Sequence, residues 1–426
     1  MLATLRLVLQ LAVQSGGGRP DSLPSVSLEQ AIQRAARLDP AYVSALGQLD
    51  NAGWARRAAR LAFVLPAVAV GLDATSYSSP FFNPGTGLQQ RSAVTARVVA
   101  SYALFNLSKF TDLTATDARQ EAAAAGELEQ RFQTAMATEA DYYSVLANQE
   151  LLRVAAERLN RAREQLAVAR ARVVHGAAVQ SDSLQVALEE TRGEIDSARQ
   201  GVALQVARLQ LGRRVGLPGS VAAQPLDTLQ APPLPVSLED AVGEALHEGP
   251  FYRVVRANER AAGALLTGVR GQYLPALSLF AANQTFDNHF FPQARNLSSL
   301  TLSVTLPIWT GGQRELAISE ARVNRDVARA TREDAERAAR RDVTEAYETY
   351  TTARDNSAQA RKALGTAAEN FRVQDQRYRA GAATILELVD AQVQLTQAGA
   401  DVVQTRYATR LALAGLESIL GRRLFR

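Results

Sequence analysis

Leu300-Thr301-Leu302-Ser303-Val304-Thr305-Leu306 runs directly into Pro307-Ile308-Trp309-Thr310-Gly311-Gly312, and the residue pattern changes at that junction. Before it, every even position is apolar and every odd one carries a hydroxyl, the signature of a strand with one apolar face. After it, Val343, Tyr350, Leu364 and Phe371 recur at one heptad position, with Ser357 the exception, and Ala346, Ala353, Ala360 and Ala367 follow three residues later each time. That is a coiled-coil seam in which every second layer is small. Small seam residues let helix backbones approach closely, which suits a wall of laterally packed helices better than a thick globular core. From Gly312 to Arg379 nothing interrupts the helix, which at ~1.5 Å per residue would run roughly 100 Å.

The same plan occurs twice. Ser27-Leu28-Glu29-Gln30-Ala31-Ile32 returns as Ser237-Leu238-Glu239-Asp240-Ala241-Val242, Pro40 as Pro250, Leu65-Pro66 as Leu274-Pro275, and Phe81-Phe82 as Phe290-Phe291. Arg172 and Gly176 match Arg377 and Gly381, and Gly212-Arg213-Arg214 matches Gly421-Arg422-Arg423. The chain is therefore read as a tandem duplication, with repeats at 26–214 and 237–426. Between them, residues 215–236 carry Pro218, Pro225, Pro232, Pro233 and Pro235 and form an extended linker. Residues 1–25 stand outside the repeats. Met1–Ser15, with Arg6 ahead of Leu7, Val8, Leu9, Leu11, Ala12 and Val13, reads either as a short secretory signal interrupted by Gln10 or as a disordered tail.

All 15 prolines lie outside residues 85–217 and 308–426, which leaves those stretches free to be long helices. The segment after Gly381 and the segment Ser27–Leu61 are each about half as long, so that two shorter helices end to end match one long one. Strands are expected at about 63–78, 92–105, 272–286 and 297–309. Val68, Val70, Leu72 and Ala74 alternate cleanly, Leu277, Leu279 and Ala281 less so, and Ser92–Tyr102 is the weakest because Arg97 sits inside it. The members of each pair join through Phe81-Phe82-Asn83-Pro84-Gly85 or Asp287-Asn288-His289-Phe290-Phe291-Pro292.

No apolar stretch reaches the roughly 18 to 20 residues of a membrane-spanning helix, so any span would be β. Four strands are too few for a membrane barrel, for which about eight is the floor, and open edges in lipid leave backbone groups unpaired. Three copies would supply twelve strands, although the sequence does not fix the number three. The expected fold class is mostly α with a membrane β-barrel portion: long coiled-coil helices plus four strands per chain that close a barrel only as an oligomer, which as a trimer would be a 12-stranded barrel on an α-helical barrel.

Composition excludes several functions. Hydrophobic residues make up 47% and charged residues 21% of 426, as in a folded protein, while aromatics are only 6%. A net charge of +4 spread along helical faces gives nucleic-acid binding little support. With no cysteine there is no disulfide framework, thiolate-bound zinc, thiol catalysis or lipidated N-terminal cysteine. His175, His247 and His289 are scattered, without the spacing of a metal site or a nucleophile triad, so neither enzyme nor cofactor is expected. The rival to an oligomeric membrane barrel is a soluble or peripheral periplasmic coiled-coil scaffold. It explains the heptads but not strands placed identically in both repeats.

Across about residues 26–424 the chain resembles the TolC-type outer-membrane efflux family. The resemblance rests on the paired Ser-Leu-Glu-x-Ala starts, the Leu-Pro before each first strand, the Leu306–Gly312 junction and, above all, Arg377-Tyr378-Arg379-Ala380-Gly381-Ala382-Ala383-Thr384-Ile385-Leu386-Glu387-Leu388-Val389-Asp390-Ala391. The first copy of that motif is Arg172-Val173-Val174-His175-Gly176-Ala177-Ala178-Val179-Gln180-Ser181-Asp182. The resemblance implies a homotrimer in outer-membrane lipid, reaching through the periplasm and pinched shut until a periplasmic adaptor (membrane fusion) protein and an inner-membrane pump engage it. Substrate would pass through unaltered, with no cofactor. Glu387, Asp390 and Asp182 match positions at the constriction, where like charges crowded into a ring would attract cations. The plain alternative is a pair of acids favoured at a helix N-terminus. Tyr378 matches an aromatic gate position. Asp182 matches a residue that bonds to an arginine two positions after the second glycine, which here is Ala383, so the family's gate-locking ion pair cannot form in the same way. Arg172, Gly176, Arg377 and Gly381 match the tips that meet the adaptor; read plainly, each tip is a turn between antiparallel helices. The cargo is left open.

Overall fold

The computed structural model describes residues 23–83, 86–226, 232–287 and 295–425. The expected signal segment and the tips of both strand-connecting loops, Pro84-Gly85 and Asn288–Pro292, lie outside the described residues. In chain order the elements are β1 (Ser25–Val26), α1 (Leu28–Leu38), α2 (Pro40–Val64), β2 (Ala67–Phe82), β3 (Gln89–Phe105), α3 (Leu107–Val174), α4 (Gln180–Val215), β4 (Ala222–Ala223), α5 (Leu238–His247), α6 (Pro250–Arg270), β5 (Ala276–Asp287), β6 (Arg295–Thr305), α7 (Gln313–Arg379) and α8 (Ile385–Leu420). The chain divides into two compact units, and α3 and α7 each contribute residues to both.

The repeated motifs act as helix signals. Ser27 caps α1 and exchanges hydrogen bonds with Gln30 in a capping box, and Ser237 caps α5 by accepting from the Asp240 amide. Pro40 and Pro250 open α2 and α6, where a missing N–H costs nothing. Asp39 completes the first of these starts, its Oδ1 accepting from the amides of Ala41 at 2.9 Å and Tyr42 at 3.1 Å. The stretch Ser27–Leu61 is accordingly two helices, broken at Asp39-Pro40.

One unit comprises Val43–Gln130, Val236–Glu345 and the C-terminal residues from Ile419. It holds an antiparallel sheet ordered β2-β3-β5-β6, so β2 and β6 are open edges. β2 and β5 begin a few residues later than expected and β6 ends earlier because prolines set those bounds. Helix α2 runs on to Val64 before Pro66, a 3-10 turn at Gly271–Tyr273 precedes Pro275, and β6 stops at Thr305 ahead of Pro307. Register places Val68, Ala100, Ala281 and Leu300 side by side on one face, with Val70 opposite Val98 one level on. On this face Val68, Val70, Leu72, Val98, Leu300, Leu302 and Val304 are all exposed.

The other unit comprises Arg131–Pro235, Ala346–Ser418 and the residues up to Tyr42. Its core gathers Tyr142, Val145, Leu211, Val221 and Tyr407. Residues 215–236 are more than a spacer here, because β4 pairs in parallel with β1. The fully buried Tyr142 donates its hydroxyl to the Gln224 carbonyl at 2.7 Å, and Tyr350 donates to that of Pro232 at 2.6 Å. Two tyrosines thus satisfy carbonyls of this proline-rich segment, at Gln224 and at Pro232.

One sequence match needs correcting. The repeat pairs Gly212 with Gly421 in sequence, yet Gly212 lies inside α4, where an added Cβ would collide with the Gly219 carbonyl. The residue equivalent to Gly421 is Gly216. Each follows a helix of 36 residues, with φ of 70° and 71° respectively, the left-handed conformation that ends helices and favours glycine. Gly212 is small for a different reason, the close passage of the chain after α4.

Candidate functional site

The two helix tips, Arg172–Asp182 and Arg377–Asp390, are built alike. Gly176 (φ 72°) and Gly381 (φ 79°) adopt the left-handed conformation. The Gly176 amide donates to the Val173 carbonyl and the Ala177 amide to that of Arg172; Gly381 and Ala382 repeat this on Tyr378 and Arg377. Both tips are Schellman turns. In each, the arginine four residues before the glycine closes the turn: Arg172 Nη2 donates to the Ala177 carbonyl at 3.3 Å and Arg377 Nη2 to that of Ala382 at 3.1 Å.

The next helix starts differently in the two copies. Thr384 and Glu387 form a capping box, with the Thr384 amide donating to Glu387 Oε2 at 2.9 Å and the Glu387 amide to Thr384 Oγ1 at 3.3 Å. Val179 occupies the cap position of α4 and offers no side-chain acceptor. Asp182 still lies in the first turn of α4, where a carboxylate is favoured by the helix dipole. Glu387 and Asp390 are both exposed, and Asp390 Oδ2 accepts from Gln394 Nε2 at 2.7 Å, one turn on.

The structure joins the two tips through Arg172 and Tyr378. Tyr378 is 3% exposed, packed with Leu166, Ala169, Val186, Ile385 and Leu388. The Arg172 guanidinium stands 4.7 Å from its ring centroid and donates to its carbonyl oxygen. Among the described residues the buried Tyr378 hydroxyl has no hydrogen-bond partner. Burial pushes its pKa up; the Arg172 charge opposes that rise and the Asp182 charge adds to it. One guanidinium therefore closes its own turn and clamps the other tip.

Sequence reasoning missed a charge network built around a buried glutamate in the same unit. Arg158 Nη2 bonds Glu189 Oε2 at 2.8 Å and its Nη1 bonds Asp196 Oδ2 at 2.7 Å, while Arg192 Nη1 reaches Glu189 Oε1 at 2.6 Å. The Glu189 side chain is 5% exposed. Burial alone would raise its pKa, but the hydrogen bonds and charges of Arg158 and Arg192 outweigh that and hold it below the usual carboxylate range. Gln392 Nε2 adds a bond to the Arg158 carbonyl at 3.1 Å. Arg158 and Glu189 belong to different helices, so no local spacing announces the pair.

In the sheet-bearing unit, a cleft of about 440 Å³ is lined by Arg56, Asp117, Glu121 and Arg260. Its charges pair with one another, Arg56 with Asp117 and Arg260 with Glu121. Among the described residues no three histidine, aspartate or glutamate side chains gather as a metal site, and no helix is long and apolar enough to cross a membrane.

Residues 241–422 match the family described as Outer membrane efflux protein. No curated protein sequence matches the chain. Among solved structures, the outer membrane protein VceC from Vibrio cholerae aligns with a TM-score of 0.77 at 16% identity, covering 93% of this chain and 97% of its own. The CmeC outer membrane channel of Campylobacter jejuni gives 0.78 at 14% identity over 92% and 85% of the two chains. The open state of the MtrE outer membrane channel of Neisseria gonorrhoeae gives 0.70 at 19% identity over 94% and 90%. CmeC and MtrE are outer membrane channels and VceC is an outer membrane protein, and the fold of all three is the fold of this chain.

Proposed function

From a second repeat that matches the outer membrane efflux proteins and a chain-long fold shared with outer-membrane channels, we propose that the protein is one protomer of a trimeric outer-membrane exit duct. It receives solutes from an inner-membrane pump through a periplasmic adaptor and conducts them to the exterior without chemical change. One observation carries this reading: a four-stranded antiparallel sheet with two open edges and an exposed apolar face. Edges β2 and β6 are tolerable in lipid only when each pairs with the opposite edge of another copy. Three copies make twelve strands, an even number within the range of closed membrane barrels.

In this reading Glu387 and Asp390 form the cation-binding constriction, together with Asp182. The Arg172–Tyr378 clamp holds the tips shut in place of the ion pair that Ala383 removes, and the turns at Gly176 and Gly381 receive the adaptor. Arg172 and Arg377 already spend donors on their own turns, so they shape the docking surface more than they reach out from it.

Planar-bilayer conductance of the purified protein tests the duct, with the mass of the same detergent complex counting protomers. A trimer passing small, cation-selective currents that multivalent cations block is the expected result. A water-soluble, non-conducting species overturns the duct in favour of the coiled-coil scaffold.

A further inference from the structure

Arg97 interrupts the alternation of β3, and the duct reading alone gives it no role. In the sheet it lies opposite Gly71 of β2 and Gln284 of β5. Asp73, two residues from Gly71 and on the same face, approaches Arg97 Nη2 to 3.4 Å. Gly71 makes this arrangement possible: a Cβ there would stand 3.0 Å from Arg97 Nε and 3.4 Å from its Cγ. The guanidinium lies back over a glycine. Both side chains stay half exposed, at 50% and 55%.

One level to either side of Arg97, the opposite face carries the exposed Val70 and Val98 pair and Leu72 in β2 and β3, and Asn283, Ser298, Thr285 and Asn296 in β5 and β6; Val68 and Leu300 extend its apolar part three levels away. Hydrocarbon disfavours charge, most strongly near the bilayer midplane, so that apolar face meets lipid and the face with Arg97 and Asp73 meets water. We propose that Arg97 and Asp73 form a charged collar in the lumen of the closed barrel and set its selectivity for charged solutes. Three copies place three guanidiniums and three carboxylates at one level. An acidic solute meets fixed N–H donors there, and a basic one meets carboxylate oxygens. The two charges balance in the native protein, and loss of either skews the collar toward the opposite sign of solute. This rests on the duct reading, but on a different part of the molecule from the tips.

The chain has no cysteine, so a single introduced thiol reports its own surroundings. Asp73→Cys, Arg97→Cys and Val70→Cys are compared in proteoliposomes, using anionic and cationic methanethiosulfonates of similar size. The collar requires positions 73 and 97 to label from water and position 70 to resist. It further requires the anionic-to-cationic rate ratio at position 73, beside Arg97, to exceed that at position 97, beside Asp73, by at least about 10-fold, as unit charges roughly 4 Å away imply. If Arg97→Cys does not insert, Asp73→Cys in Arg97→Lys and Arg97→Gln backgrounds reads the same field, retained with lysine and lost with glutamine. Equal ratios at the two sites, or labelling at position 70 instead of 97, overturn the collar. Unlabelled thiols in a protein whose unsubstituted form conducts normally also sink the collar alone, whereas a non-conducting unsubstituted protein removes the duct as well.

Discussion

At the scale of single residues, Glu387 caps α8 and, in the proposed duct, also charges the constriction, and replacement by glutamine separates the two. Its carboxylate completes a capping box with Thr384, and glutamine at the same helical position closes such a box as well. Glu387→Gln combined with Asp390→Asn should leave thermal stability nearly unchanged while weakening block by divalent or trivalent cations. Glu387→Ala should also cost about 1 kcal/mol of helix stability. Undiminished block in the double amide variant would remove the ring assignment. Arg172→Ala takes away both the charge over the Tyr378 ring and the donor to its carbonyl, so resting conductance should rise while trimer mass is unchanged. Glu189 gives a pH prediction. Its carboxyl titrates lower in the folded protein than in the unfolded chain, so its contribution is complete above the unfolded value of about 4.3 and is lost as pH falls through the folded one. Glu189→Gln should flatten the acid limb of stability, measured by helical circular dichroism, and lower stability at neutral pH.

At the scale of elements, two glycines of one helical hairpin respond in opposite directions. Gly381 ends α7 with φ 79°, whereas Gly365 lies inside α7 with nothing within 4 Å of an added Cβ. Gly381→Ala should destabilise by roughly 1–2 kcal/mol, because a Cβ resists the left-handed conformation. Gly365→Ala should stabilise by about 0.5–1 kcal/mol, because glycine costs a helix interior entropy. Thermal melts of the two variants check both signs. The sequence shows why these elements form. Ser27, Ser237, Pro40 and Pro250 mark helix starts by local chemistry, and the repeats mark them twice. It misplaces Gly212 because a glycine needed for close approach looks the same, in one sequence, as a glycine that ends a helix.

At the scale of the whole molecule, the two faces of the sheet decide whether it belongs in lipid. Leu302→Lys puts a charge on the apolar face and should cost about 2–4 kcal/mol of membrane insertion near the midplane, whereas Thr301→Lys, on the other face, should cost much less. Refolding into liposomes, read by protection from protease, checks the difference. Equal losses would mean that the apolar face does not meet lipid. The same two-sidedness explains why Ser92–Tyr102 looked like the weakest strand: Arg97 breaks the pattern of the strand but not that of the sheet, where Gly71 and Asp73 receive it.

The sequence by itself determined the duplication, the long proline-free helices, the strands and the two tip motifs, because periodicity, capping residues and proline act over a few neighbouring positions. Only the tertiary structure decided that Arg172 clamps Tyr378, that Arg158 and Glu189 share a buried network, that Tyr142 and Tyr350 fasten residues 215–236, and that Arg97 rests over Gly71 beside Asp73. Each of these joins positions far apart in the chain, and the energy of such a pair depends on distance, burial and register, none of which a spacing in the sequence encodes.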